Sequence, residues 1–283
     1  MANLSVGTAS IGEILELENS NSNEILKGKT LSIPNYQRPY TWSTQNVNEL
    51  IDDILEAIEL DKEQYLIGNI ILHENDGKLD IIDGQQRLTT LALILHSKND
   101  NNTNTIKFLE NEVDINSAKA LTTNYNLISQ HKKIDDNFRN FIKANVIVTY
   151  TITTNLDQAF ILFNSQNTRG KPLDDKDLLK GHHIRFIKRK SDQKEYAKSF
   201  EIALREKRLY KDKLTIVLKL LSIIKSAAKN ELDGDSIRKT EIYENFKSEF
   251  EADEIGFNNY HDTFIATTSV QGGAGFFSIL AKI

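Results

Sequence analysis

Apolar positions recur at helical spacing most clearly between residues 44 and 60, where Val47, Leu50, Ile51, Ile54, Leu55 and Ile58 form one stripe. Ser43 or Thr44 stands where the N-cap of that helix belongs. A shorter helical pattern, IGEILEL, lies near the start and gives way to the polar break ENSNSNE. Then the period changes. YLIGNIIL and KLDIIDG are β-like runs joined by HENDG, so Asp76-Gly77 marks a hairpin turn. Gly84 ends the second strand, and Leu88, Leu91, Ala92 and Leu95 open a new helical stripe. After the loop NDNNTN, residues 105–143 read as helix in pieces, and VIVTYTI (146–152) reads as a buried strand. Asn155 is positioned to cap LDQAFILFNSQ, with Gln158 at the capping-box position, and Asp174 to cap the helix through DDKDLLK. Helical patterns follow over 182–209, 213–229 and 239–251, and the tail TTSVQGGAGFFSILAKI has no clear period.

These elements predict an α+β front half with a small sheet, followed by a mostly helical back half. The expected division is 1–180, then a helical region 181–252 packed on it, then an irregular tail 253–283. A chain of 283 residues, 39% hydrophobic and 27% charged, buries a sizeable core. No apolar run approaches the ~18–20 residues of a membrane span, and the first residues lack a signal-peptide pattern. The chain contains no cysteine, which excludes disulfides and thiolate chemistry and fits a reducing, cytoplasmic setting.

The net charge of -5 argues against general nucleic-acid binding, but the charge is uneven. Lys180 to Lys213 holds twelve Lys/Arg against five Asp/Glu, a balance of +7, which leaves -12 for the remainder. That block, with Lys188, Arg189 and Lys190 at its centre, is either a polyanion-facing surface or a solvated helix face.

The chemistry concentrates at LDIIDGQQRLTTL. A helix starting just after a strand and a glycine directs its unpaired N–H groups and positive dipole end at whatever lies there, which suits an anion. Gln85 and Gln86 add amide donors and acceptors, Arg87 adds a planar fork for phosphate, and Asp83 can orient water, hold the arginine or ligate a metal. The alternative is structural, with an Asp83–Arg87 ion pair and glutamines that cap the helix. Two loops contain all three prolines of the chain. IPNYQRPYTW offers Tyr36, Gln37, Arg38, Tyr40 and Trp42, a set suited to stacking on a base and pairing with phosphate, although packing over the core is the favoured role for Trp42. NSQNTRGKPL offers Asn164, Asn167, Arg169 and Lys171 around Gly170.

IPNYQRPYTW, YLIGNIIL, IIDGQQRLTTL and FILFNSQNTRGKPLDDKDLLK, in this order, resemble the N-terminal domain of GmrSD-type modification-dependent restriction enzymes and related phage-defence proteins. The resemblance is strong over about 10–185 and weaker to about 250. It implies a ParB/sulfiredoxin-like fold, a small mixed sheet with flanking helices, that binds and hydrolyses nucleoside triphosphates with Mg²⁺. It also implies site positions. These are Asp83, Gly84, Gln85, Gln86 and Arg87 in the first motif, and Tyr36, Gln37, Arg38 and Tyr40 in the second. Asn164, Asn167, Arg169 and Gly170 form the third. Asp83, Gln86 and Arg87 are the expected catalytic set, with Asp83 also the metal ligand.

Full-length members of that family continue into an HNH nuclease, and no histidine-rich block stands near the end of this chain. The adjacent His182 and His183 are set ~100° apart on a helix and cannot chelate together. The expectation is therefore a nucleotide-binding regulatory domain, with ATP, GTP, CTP and UTP all open as ligands. DNA cleavage is expected to reside in a separate nuclease subunit, in a longer form of the protein, or nowhere, if the chain is a stand-alone sensor. Two rivals remain: a non-catalytic reader of modified DNA using Lys188, Arg189 and Lys190, and a subunit recruiting a nuclease through the apolar helix TIVLKLLSIIKSAA, which is otherwise core. A homo-oligomer is also open.

Overall fold

The described residues of this computed structural model are 4–15, 24–97, 115–167, 175–184, 186–205, 216, 218–223, 273–274 and 276–277. The chain forms two compact units, Met1–Pro34 with Pro39–Lys171, and Asn35–Arg38 with Pro172–Ile283.

The first unit holds a mixed five-stranded sheet: β1 (Leu4–Ser10), β2 (Thr30–Ser32), β3 (Tyr65–Asn75), β4 (Lys78–Asp83) and β5 (Val146–Thr153), in the order β1-β5-β3-β4-β2. β1–β5 and β3–β4 are antiparallel, and β5–β3 and β4–β2 are parallel. The β3–β4 hairpin turns through Asp76 and Gly77, with φ of 51° and 75°, the pair of positive values that a two-residue turn needs to match strand twist. β1 and β2 are not evident in the sequence pattern. Three residues are too few to show a period, and β2 exists through pairing with β4, Ser32 opposite Asp80.

One face of the sheet builds the core. Ile70, Leu72, Leu79, Ile81, Val148, Tyr150 and Ile152 pack against α1 (Ile11–Leu15), α2 (Thr44–Glu59), α3 (Gln85–His96) and α5 (Asp136–Ala144). α4 (Ile115–Gln130) lies against α2 and α3. α2 buries the expected stripe and starts at a reciprocal capping box. Asn46 N–H donates to Ser43 Oγ, and Ser43 N–H donates to Asn46 Oδ1. α3 is buried all round from Leu88 to Leu95, as befits a central helix. Trp42 is half-buried against this core, in line with the expectation for it.

α6 (Leu156–Asn167) packs across β3, β4 and β5. Its buried Ala159 lies outside the core cluster, as do Ile71 and Ile82 of the sheet's second face. Asn155 caps α6 through Gln158 N–H (2.9 Å), but the Gln158 side chain accepts the Thr153 hydroxyl (2.7 Å) and so leaves the capping box half-built. The edge of this sheet near β2 carries a polar cluster. Ser32 Oγ donates to Asp80 Oδ1, and His73 Nδ1 lies 3.8 Å from Asp80 Oδ2. Burial alone raises the Asp80 pKa, but His73, Ser32 and Asn75 around the carboxylate outweigh it and hold the pKa below its ordinary value.

In the second unit α7 (Asp175–Ile184) and α8 (Lys190–Arg205) pack together. This corrects the continuous helix expected from 182 to 209. The chain turns after Ile184, with Phe186 N–H bonded to His183 O and Ile187 N–H to Ile184 O, and Gln193 Nε2 holds Ile187 O at 2.7 Å. Aromatic packing rewards the break. His183 stacks on Phe276 (centroids 4.0 Å apart), Tyr196 stacks on Phe277, and Phe200 meets Phe277 edge-on. Most of the helices expected at 213–229 and 239–251 lies outside the described residues. Within them, Leu218 and Ser222 are buried while Ile216 and Leu220 are exposed. No described helix is long and apolar enough to cross a membrane.

Two outcomes follow for stability. Gly84 has φ of 93°, and a Cβ there would lie 2.5 Å from Ile70 Cγ2. Gly84→Ala is expected to lose about 2–4 kcal/mol in urea denaturation, from left-handed backbone strain plus overpacking. Asp80 is ionised more readily folded than unfolded, so its contribution is full above its ordinary value of 3.8 and is lost as pH falls through the lower folded pKa. Acid titration of wild type and Asp80→Asn should show a shallower loss of stability in the variant below pH 3.8.

Candidate functional site

Two irregularities in the sheet set up the strand-to-helix seam. In β4, Ile71 pairs with Asp83 and Leu72 with Ile81, so Ile82 is the extra residue of a bulge. The bulge shifts the alternation and places Asp83 on the Ile71 face rather than the core face of Ile81. In β3 the register with β5 slips between Leu66 and Asn69, around Ile67 and Gly68. Gly68 has φ of 119°, a value that favours glycine.

β4 stops pairing at Asp83, so residues 67–69 of β3 run on beyond it. Arg87, in the first turn of α3, takes over that stretch. Its Nη1 donates to Ile67 O (2.9 Å) and its Nη2 to Asn69 O (2.8 Å). A Cβ on residue 68 would collide with Nη1, so the glycine makes room for the guanidinium. The expected alternative of an Asp83–Arg87 pair gives way to this backbone fork, and among the described residues no carboxylate pairs with Arg87. Two of its five donors are used there, and the residue is half-buried. Asp83 Oδ1 accepts Gly84 N–H (2.8 Å), and Gly84 supplies no side-chain cap to the N-terminus of α3.

The glutamines have a different role. Gln86 is 7% exposed, and its Oε1 accepts from Thr41 N–H (2.8 Å) and Trp42 N–H (3.2 Å) while its Nε2 donates to Pro39 O (3.1 Å). One side chain therefore fixes three residues of a distant loop. Tyr40 lies inside the same network, fully buried, with its hydroxyl shared with Thr90 Oγ1 (2.8 Å) and Asn124 Nδ2 (3.0 Å). Tyr40 N–H donates to Ser117 Oγ, and Asn124 Nδ2 also holds Trp42 O. Tyr40 is among the rings expected to stack on a base, and Gln86 is in the expected catalytic set. Stacking needs an exposed ring face, so Tyr40 supports the loop from within, and the Gln86 amide is committed to the loop backbone. Gln85 is likewise buried, at 4% exposure.

The remaining motif residues fall in the second unit, on α6 or outside the described residues. Tyr36, Gln37 and Arg38 belong to the second unit, where Gln37 O accepts from Lys180 Nζ at 2.9 Å. Lys180 is 2% exposed, so the first cation of the basic block anchors a loop instead of facing solvent. Lys188 and Arg189 are exposed between α7 and α8, and Lys190 begins α8. Asn164 and Asn167 lie on α6, with side chains outside the described residues, as are Arg169, Gly170 and Lys171 altogether. Ser117, Asn124 and Thr90 were not singled out in the sequence, because nothing local distinguishes a buried polar residue from a solvated one. Gly68 carried a readable signal, a glycine inside a strand pattern.

A comparison with curated proteins found no match. The family model of the N-terminal domain of GmrSD restriction endonuclease matches residues 14–184, well over half of the 283 residues. The match spans the Arg87 seam, the Gln86 network and the Lys180 anchor. The chain belongs to the family of GmrSD restriction endonuclease N-terminal domains.

Proposed function

We propose that the chain binds a nucleoside triphosphate at the opening turn of α3 and hydrolyses it, as the regulatory domain of a restriction system. The observation that supports this best is Arg87, a half-buried guanidinium held by two carbonyls with no carboxylate to neutralise it among the described residues. A cation fixed in place beside a helix N-terminus without a side-chain cap suits phosphate oxygens. In this reading Arg87 offers its remaining donors to the phosphates, and Asp83 orients the attacking water. Placement and charge stabilisation supply the catalysis. A single carboxylate fits Mg²⁺, which takes few protein ligands when phosphates supply the others, so Asp83 would hold it. Bound Mg²⁺ would offset charge on the phosphates. Gln85 and Gln86 keep the seam in shape.

A second reading, contact with modified DNA, draws on the exposure of Lys188 and Arg189.

A thermal-shift series with ATP, GTP, CTP and UTP plus Mg²⁺ tests the first reading. The true ligand at ~100 times its Kd should add about 2.7 kcal/mol, or roughly 5–10 °C in Tm for a chain of this size. Failure of all four nucleotides sinks the site. Arg87→Gln should abolish turnover while leaving most of the fold intact, whereas equal turnover in variant and wild type removes the catalytic role. Gln86→Leu should instead cost about 1–3 kcal/mol, by leaving buried loop groups unpaired. Neutralising Lys188, Arg189 and Lys190 together should flatten the salt dependence of DNA binding by up to about 3 in log-log slope, and an unchanged slope rejects the second reading.

A further inference from the structure

We propose that the β1 edge of the sheet pairs with the same edge of a second copy of this chain. The two ends of the sheet differ. The β2 end is blunted in the usual way, being three residues long and followed closely by Pro34. The β1 end is seven residues, LSVGTAS, in unbroken register with β5 from Leu4↔Thr153 to Ser10↔Ile147. It contains no charge, no proline and no bulge, which are the devices that keep edges from pairing. No described strand lies on its outer side. Half of its backbone N–H and C=O groups therefore point outward in ladder geometry.

Its side chains indicate what kind of partner fits. Leu4 is 48% exposed and Val6 62%, so apolar surface faces solvent beside the open backbone edge. The opposite alternation is turned inward, with Ala9 buried and Gly7 set where any Cβ would meet the Tyr150 ring. The strand is therefore held firmly from one side and left open on the other.

The occupant that suits a neutral strip is its own copy. Across a two-fold axis every residue meets another of the same short strip, so like charges along the strip would repel one another. LSVGTAS carries no charge, in a chain that is 27% charged overall, and so meets this requirement along its whole length. Antiparallel self-pairing about Gly7 sets Leu4 opposite Ser10 and Val6 opposite Thr8, and joins two five-stranded sheets into one continuous sheet.

Light scattering after size exclusion, over about 1 to about 100 µM protein, reads the assembly directly. The expected mass is twice that of the chain at the upper end. Val6→Lys is expected to give a monomer with the circular dichroism of wild type and the Tm of dilute wild type. Amide exchange provides a readout that needs no variant. The outward-pointing amides of residues 4–10 should exchange at least tenfold more slowly at high concentration, with the rest of the sheet unchanged. A monomer throughout, a Val6→Lys protein that still dimerises, or outward-pointing β1 amides protected independently of concentration would each overturn the proposal, the last because the chain would then be covering its own edge.

Discussion

The Gln86 side-chain amide is the contact on which the arrangement of the first unit depends. It accepts the N–H groups of Thr41 and Trp42 and donates to Pro39 O, and so binds the segment entering α2 to the first turn of α3. The backbone groups it satisfies would otherwise be costly in a water-poor setting. Around it, Tyr40, Thr90, Asn124 and Ser117 form a network in which each residue bonds another. A satisfied buried network of this kind favours a single arrangement. It explains why a motif so rich in amides can stand buried at a seam.

Close backbone approach is the second constraint. Gly84 brings the start of α3 against Ile70, and Gly68 opens the space that the Arg87 guanidinium fills. The two bulges turn Asp83 away from the core and present carbonyls 67 and 69 to the arginine. The five motif residues thereby divide in two. Gly84, Gln85 and Gln86 are buried, while Asp83 and Arg87 stay partly exposed.

Charge on this chain is also more selective than its totals suggest. Lys180 heads the basic block but is a buried anchor for Gln37 O, whereas Lys188 and Arg189 stand in solvent. Asp80 sits in a polar cluster with Ser32 and His73, where neighbouring donors hold its pKa below the ordinary value. A residue count cannot separate these cases, because burial and partners decide what each charge does.

The sequence by itself determined the long elements and the family. α2 and its Ser43 cap, the β3–β4 hairpin with its Asp76-Gly77 turn, β5 and the Gly84 seam follow from local period and turn chemistry, which act over a few residues. Tertiary structure alone decided that β1 and the three-residue β2 are strands, because each depends on a partner strand distant in the chain. It alone broke the helix after Ile184, where aromatic side chains from distant segments outweigh continuous helical propensity. It also placed Gln86 and Tyr40 in a buried network and left Arg87 without a counter-charge among the described residues. Hydrogen-bond partners are chosen by three-dimensional proximity, and sequence spacing does not encode that across 45 residues.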